Sequence, residues 1–281
     1  MTLLPTNAVG KFLVPSGASL GTNWLLPAFD DSSWTRATSS VGFAVGALDR
    51  IPVAGLTNAL VGYWKFDEAA GALAADASGR GNNGALLNFP ANGSQWGPGK
   101  NDGALRFRGS PNNDYVRVVT YPKATNAISI AVWVFAESRP IWATIAKNWA
   151  GSGGQFRFGL RDTGGDLDIF INTTAGQFSL REGTPIPTGQ WQHVVFTADG
   201  ANIRLFRNGA QVASTAYSGN FLNPAIGAMG IGVKLNDAGS AADTGSPGYW
   251  HGRLDDLAIW HRALGAGEVQ AIAAAGGASG P

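Results

Sequence analysis

Trp191-Gln-His-Val-Val-Phe-Thr197 and Ile203-Arg-Leu-Phe-Arg207 are two short runs in which apolar side chains alternate with polar ones. Asn208-Gly209 follows the second run, and Ala210-Gln-Val-Ala-Ser214 comes directly after it. An alternation with a period of two residues is typical of β-strands, and Asn-Gly supplies the two positive-φ positions that a type I′ turn requires. This segment therefore predicts a strand followed by a β-hairpin.

Strand-like runs of the same kind recur outward from this hairpin. From about residue 58 the chain is a series of short apolar runs separated by Gly, Asn, Asp or Pro. In Ile128-Ser-Ile-Ala-Val-Trp-Val-Phe135 both alternating sets are largely apolar, so we expect both faces of this strand to be covered. The one helical signal is the Ala-rich segment 267–275, which Gly276-Gly277 closes. The pattern predicts an all-β sandwich with a short C-terminal helix.

The composition supports a folded, β-rich protein and argues against several classes of function. The 281 residues include 40 Gly and 14 Pro, only 14% are charged, and 44% are hydrophobic, which is too many for a disordered chain. The formal net charge is +1 without runs of Lys or Arg, so we expect no nucleic-acid partner. No apolar stretch reaches the roughly 18 residues that cross a bilayer, so we expect no membrane insertion. The absence of Cys excludes disulfides and zinc–thiolate sites.

Four segments together resemble the laminin-G-like jelly-roll domain of the concanavalin-A-like lectin and glucanase superfamily. They are Gly62-Tyr-Trp-Lys-Phe-Asp-Glu-Ala-Ala-Gly71 with the loop Asp76–Gly84, the run Ile128–Phe135, the run Gly189–Gly200 with its hairpin, and Gly252-Arg-Leu-Asp-Asp-Leu-Ala-Ile-Trp-His-Arg-Ala-Leu264. The resemblance spans about residues 58–275. It implies a two-sheet antiparallel jelly-roll β-sandwich in which the first and last segments pair in one sheet.

The chain divides in sequence into residues 1–55 and residues 56–281. The first part has short apolar bursts broken by Pro, Gly and Ser, including Trp24-Leu-Leu-Pro-Ala-Phe-Asp-Asp-Ser-Ser-Trp34, and is too short to form a full sandwich. We interpret it as an N-terminal strand-forming arm or partial β module that packs on the main domain or on a neighbouring subunit. The second part is the predicted jelly-roll domain.

The resemblance implies a metal site that binds Ca²⁺. Asp76 lies in a loop rich in Gly and Asn, and Asp255 and Asp256 lie at the last strand, where their hard carboxylate oxygens suit calcium. In the alternative interpretation, Asp76 caps its own turn, and Asp255 or Asp256 accepts hydrogen bonds from buried amides near the edge of the sheet.

Two loops carry the residues that suit sugar recognition, which needs an aromatic face beside amide or carboxylate groups. Asn148 and Trp149 lie in one Gly-rich loop. The second loop runs from Asn236-Asp237 to Tyr249-Trp250. We expect Trp64, Trp133 and Trp191 to belong to the core, so the candidate ligand-binding residues are Asn148, Trp149, Asp237, Tyr249 and Trp250.

No catalytic constellation is evident, and we expect that the protein is not an enzyme. The glucanases of the superfamily carry two Glu around an Asp within six residues, whereas the Glu residues here are isolated. Asp166 and Asp168 share one strand face, but they follow a Gly-rich turn, and we interpret them as solvated turn charges.

Three functions remain open at this stage. The first is a non-catalytic carbohydrate-binding or adhesion module, with a glycan or polysaccharide as partner. The second is a structural subunit of a virion, appendage or surface assembly, in which residues 1–55 contact neighbouring subunits of a homo-oligomer. The third is a polysaccharide-degrading enzyme with unrecognised catalytic residues. We expect an extracellular or surface-exposed location, including a virion surface, although Met1-Thr-Leu-Leu-Pro-Thr lacks the pattern of a signal peptide.

Overall fold

The structure is a computed structural model that describes residues 56–151 and 153–276, together with two short strands nearer the N-terminus. The chain divides into two compact units, Met1–Gly46 and Ala47–Pro281. In the first unit, β1 (Val9–Phe12) pairs antiparallel with β2 (Thr35–Thr38). The rest of the predicted arm over residues 1–55 lies outside the described residues.

The second unit is built from strands and one helix. Their bounds are β3 Leu60–Trp64, β4 Leu73–Ala74, β5 Gly84–Leu87, β6 Trp96–Pro98, β7 Gly103–Arg108, β8 Tyr115–Val118, β9 Ile128–Ala136, β10 Thr144–Ala150, β11 Gly153–Leu160, β12 Asp166–Thr173, β13 Gly176–Pro185, β14 Trp191–Ala198, β15 Asn202–Arg207, β16 Ala210–Ala216, β17 Met229–Ile231, β18 His251–Trp260 and α1 Ala266–Ala275. None of the described residues forms a helix of the length and apolar character needed to cross a membrane.

Two antiparallel sheets pack face to face, as the sequence predicts. The first sheet has the strand order β13-β12-β11-β10-β17-β8-β5-β4, and the second sheet has the order β16-β15-β14-β9-β18-β7-β6. The last strand, β18, lies inside the second sheet, where it pairs with β9 on one side and with β7 and then β3 on the other. Leu257 pairs with Trp64 and Ala258 with Tyr63, which confirms the predicted pairing of the first and last segments.

The main core lies between the two sheets. Alternate residues of β9, from Ile128 to Val134, point into it together with Phe156 and Phe158 of β11. The opposite face of β9 is covered as well, because Ala131 packs in a second cluster with Val269 and Ile272 of α1. The sequence-based expectation that both faces of this strand are covered is therefore confirmed.

The Asn208-Gly209 hairpin forms as predicted, with φ of 51° and 83° at its two turn residues and Arg207 paired with Ala210. A Cβ at position 209 would lie 3.4 Å from Cα of Gln270 in α1. This is ordinary van der Waals contact, so the left-handed conformation of the turn is what favours glycine here.

Candidate functional site

Side chains of β10, β11 and β12 that point away from the core build an aromatic surface on the outer face of the first sheet. Arg157 stands at its centre, in register with Lys147 on one side and Phe170 on the other. Its guanidinium carbon lies 3.9 Å from the ring centroid of Phe170, 5.0 Å from that of Trp142 and 5.9 Å from that of Trp149. All four residues Trp142, Trp149, Arg157 and Phe170 are half-buried. We call these four residues the aromatic patch.

Cation–π contacts hold the aromatic patch in one arrangement. The rings of Trp149 and Phe170 meet edge to face with their centroids 6.4 Å apart. A guanidinium within about 6 Å of an aromatic ring centroid is attracted to the electron-rich face of the ring, so Arg157 ties the three rings together. The patch therefore offers partly exposed indole surface in a preorganised geometry.

Asp166 and Asp168 are not the solvated turn charges that the sequence suggested, because they are only 2% and 4% exposed. Asp166 accepts two hydrogen bonds from Arg181, at 3.0 and 2.7 Å, and one from the amide of Gly183. The contact with Arg181 lowers the pKa of the Asp166 carboxyl. The correction has a physical reason, since arginines on neighbouring strands replace the water that would otherwise solvate these carboxylates.

Asp168 is a buried carboxylate next to the aromatic patch. Its carboxylate lies 3.3 Å from Arg161 Nη1 and 3.7 Å from Arg157 Nη2. Burial raises the pKa of Asp168, while the two arginines oppose that shift. The ion pair with this carboxylate thus helps to fix the position of the Arg157 guanidinium.

Lys147 completes the row of cations across the sheet. Its side chain is 5% exposed, and Nζ donates a hydrogen bond to the backbone oxygen of Trp142 at 3.1 Å. Burial and the nearby charge of Arg157 lower the pKa of Lys147 to about 7. This amine is therefore a buried cation whose charge is costly for the folded state near neutral pH.

The structure places most of the sequence-predicted ligand residues around the turn between β10 and β11. Trp149 belongs to the aromatic patch, and Asp237 lies beside the turn, since a Cβ at Gly151 would be 3.3 Å from its Oδ1. Tyr249 packs against a small cluster that contains Ala150. Asn148 is buried, and its Nδ2 donates to the backbone oxygen of Ala228 at 2.8 Å, so this side chain serves the packing of the loop.

Trp250 and Trp191 differ from their expected positions. Trp250 is fully buried in the main core, and a buried ring offers no face to a sugar. Trp191 was expected in the core but is half-exposed on the outer face of the second sheet, edge to face with Phe135 at 5.5 Å. Trp64 lies in the main core as expected, at 1% exposed. Trp133 is also buried, at 7% exposed, but it lies on the outer face of the second sheet.

The three aspartates of the predicted calcium site accept hydrogen bonds from the protein. Oδ1 of Asp76 accepts from the amides of Tyr63 and Ser78, and its Oδ2 accepts from the amide of Asn82. Oδ2 of Asp255 accepts from the amides at positions 100 and 101.

Asp256 accepts from the Tyr63 hydroxyl at 2.7 Å and from Asn101 Nδ2 at 2.8 Å. The described residues contain no group of three His, Cys, Asp or Glu side chains placed to hold a metal ion. These contacts fit the turn-capping alternative better than a calcium site, and calcium binding stays a prediction.

Trp142, Arg157 and Phe170 were missed in the sequence, although the period of two residues contains the signal for two of them. Phe156 and Phe158 point into the core, which directs Arg157 outward. Phe170 shares the outward face with Asp168. No comparable pattern marks Trp142, because it precedes β10 in a loop.

The chain belongs to the concanavalin A-like lectin/glucanases superfamily. The Laminin_G_3 family of this superfamily matches residues 109–270, which is more than half of the chain. This match confirms the resemblance found in the sequence. No curated protein sequence matches the chain.

Solved structures with the same fold include domains of larger secreted and toxic proteins. Domain 4 of AbnA, an extracellular arabinanase from Geobacillus stearothermophilus solved with arabinotriose, is 21% identical, with a TM-score of 0.59 over 76% of this chain and 98% of that one. The binding domain of Paraclostridial Mosquitocidal Protein 1 is 16% identical, with a TM-score of 0.57 over 78% of this chain and 52% of that one.

The ligand-binding domain of botulinum neurotoxin serotype D, solved with N-acetylneuraminic acid, is 13% identical, with a TM-score of 0.54 over 82% of this chain and 52% of that one. The present chain thus spans about half the length of the two toxin domains. At these identities the likeness establishes the shared jelly-roll fold.

Proposed function

We propose that this protein is a non-catalytic carbohydrate-binding module whose sugar site is the aromatic patch. The observation that carries the proposal is the set of half-exposed rings of Trp142, Trp149 and Phe170, held around Arg157 on the outer face of the first sheet. A pyranose or furanose ring has an apolar face that packs on an indole and hydroxyls that accept hydrogen bonds from a guanidinium.

Two further observations support this proposal. The chain belongs to a superfamily of lectins and glucanases, and two proteins of the same fold were solved with sugars bound. Asp168, the carboxylate beside the patch, contacts two arginines, whose charges oppose the rise in its pKa that burial causes, whereas the acid of a glycosidase must be protonated. Binding at a cell or virion surface is the role that we propose for this module.

Trp149→Ala should weaken glycan binding at least tenfold, which corresponds to about 1.4 kcal/mol, because it removes one wall of the patch. A glycan array identifies ligands of the wild type, and isothermal titration calorimetry then measures them against the variant. Arabinotriose and N-acetylneuraminic acid are suitable first probes.

Trp96→Ala is the matched control, because Trp96 is also half-buried but lies at the edge of the second sheet. This control should bind as the wild type does. Equal affinities of the wild type, Trp149→Ala and Trp142→Ala for every sugar that binds would rule out the aromatic patch as the site.

A further inference from the structure

A groove of about 520 Å³ crosses the outer face of the second sheet, on the side of the sandwich opposite the aromatic patch. Its lining includes Trp133 and Trp191 from two adjacent strands of the sheet. Gln270, Ala273 and Ala274 of α1 form one wall, and the Asn208-Gly209 turn contributes to the other. The volume lies within the range of about 300–1,000 Å³ that is usual for small-ligand sites.

The groove is closed at one end by contact between the turn and the helix. At Gly209 a Cβ would lie 3.4 Å from Cα of Gln270 and 3.5 Å from Cβ of Ala273, so the two elements touch there. At another point of the lining, Nζ of Lys100 lies 5.4 Å from the ring centroid of Trp133. The groove is therefore a bounded depression with an aromatic floor.

Four carboxamides converge on the groove, from Gln190, Gln192, Asn208 and Gln270. Two of them are fixed by the protein. Asn208 Nδ2 donates to Gln192 Oε1 at 2.9 Å, and Gln192 Nε2 donates to the backbone oxygen of Trp191 at 2.9 Å. Since a carboxamide has two N–H groups, Asn208 keeps a second donor, whereas Gln192 is buried and serves to orient Asn208.

The other two carboxamides are exposed at the rim. Gln190 and Gln270 make no side-chain hydrogen bond within the part of the chain that the structure describes, so both can turn toward a ligand without losing a partner. No carboxylate is among the groove-lining residues. The lining therefore has the chemistry that recognises a sugar, with indole surface below and amides around the rim, and it lacks the acid pair that would cleave one.

We infer that this groove is a second saccharide site, which takes one or two sugar rings with an apolar face on Trp191 and hydroxyls on the carboxamides of Gln190, Asn208 and Gln270. It extends the proposed carbohydrate binding to the opposite side of the sandwich but rests on its own geometry. With a site on each sheet, one molecule would hold two glycan segments and bind a polysaccharide more tightly than either site alone.

The test uses the full chain and the sugars that bind it on a glycan array, followed by calorimetry and ¹H–¹⁵N NMR titration. In the wild type we expect two binding sites, one of which shifts the backbone amides of Gly209 and Ala274. Trp191→Ala and Gln270→Ala should each weaken that site at least fivefold. Gln270→Ala is safe for folding because the residue is exposed and Ala is a strong helix former.

Gln177→Ala, an exposed change on β13, is the control and should bind as the wild type does. Trp149→Ala should leave the shifts of Gly209 and Ala274 unchanged, which separates the groove from the aromatic patch. If the shifts of Gly209 and Ala274 persist while Trp149→Ala changes the affinity for no sugar, the groove proposal is supported and the aromatic patch is not the sugar site. The groove proposal is overturned if no sugar shifts the amides of Gly209 and Ala274, or if Trp191→Ala and Gln270→Ala both bind with wild-type affinity at both sites.

Discussion

At the scale of single residues, the unusual feature is a set of buried charges on the outer face of a sheet. Lys147, Arg157 and Asp168 lie on three neighbouring strands. Lys147 and Asp168 are buried, and Arg157 is half-buried against the rings of Trp142, Trp149 and Phe170. A buried charge is tolerated when a partner compensates for its lost hydration. Asp168 compensates for Arg157 and Arg161 directly, whereas Lys147 Nζ donates a hydrogen bond to the neutral backbone oxygen of Trp142.

Lys147 should make stability rise with pH in the alkaline range. Its pKa is lowered from 10.5 to about 7 in the folded state, so between these values the unfolded chain binds more protons than the folded one. The free energy of unfolding therefore increases from about pH 7 to about pH 10.5, and the full penalty is present below pH 7. In Lys147→Met this rise should be smaller, and the variant should be more stable than the wild type at pH 7.

Urea unfolding at half-unit steps between pH 6 and pH 10 measures this difference. Lys123→Met, on a half-buried lysine outside β10, controls for the loss of one positive charge. Parallel pH profiles for the wild type and Lys147→Met would show that Lys147 is not a buried cation.

The sequence predicts the fold well and the site only in part. The strands and turns of the fold follow from local sequence patterns, whereas the site depends on contacts between segments that are distant in sequence. The alternation in residues 191–214 and the Asn208-Gly209 turn report local backbone geometry, and both are confirmed. The burial of Asp166 depends on Arg181 from the next strand, and Trp191 packs on the outer face of the sheet against Phe135 of β9, which is distant in sequence. Such contacts between distant segments leave no local pattern, so these two residues were assigned wrongly.

At the scale of elements, the loop after β4 is held to β3 by one carboxylate. Asp76 accepts hydrogen bonds from the amide of Tyr63 in β3 and from the amides of Ser78 and Asn82 in its own loop. The indole of Trp64 donates to the backbone oxygen of Asn82 and adds a second link. These hydrogen bonds therefore connect β3, in the second sheet, to the loop that follows β4 of the first sheet.

Asp76→Ala should lower the free energy of unfolding by roughly 1–3 kcal/mol, because three amides lose their acceptor. If Asp76 only caps the loop, excess chelator leaves the melting temperature of the wild type unchanged. Differential scanning calorimetry with calcium and with chelator measures both effects. A chelator-sensitive melt that Asp76→Ala abolishes would instead establish the calcium site.

At the scale of the whole molecule, the described core belongs to the second unit. The buried apolar side chains that the structure describes lie between Leu56 and Ile272, and they fill the space between the two sheets and beneath α1. Burial of apolar surface on this scale supplies most of the driving force for folding. We therefore predict that the jelly roll buries enough apolar surface of its own to fold without residues 1–46.

Deletion of residues 1–46 should leave a protein that melts cooperatively and keeps its glycan affinity. Size-exclusion chromatography with light scattering then tests whether the N-terminal unit makes contacts between subunits. A carbohydrate-binding module predicts the same oligomeric state with and without residues 1–46. Loss of an oligomer on deletion would favour the structural-subunit alternative.

The position of β18 also has a consequence for how the protein is made. This strand, His251–Trp260, lies between β9 and the β7 and β3 pair, so residues near both ends of the chain meet in the interior of one sheet. Because β18 is the last strand of the described jelly roll, the other strands are synthesised before that gap can be filled. Until then the edges of β9 and β7 that β18 will occupy are unpaired, and an unpaired strand edge can pair with another chain and promote aggregation.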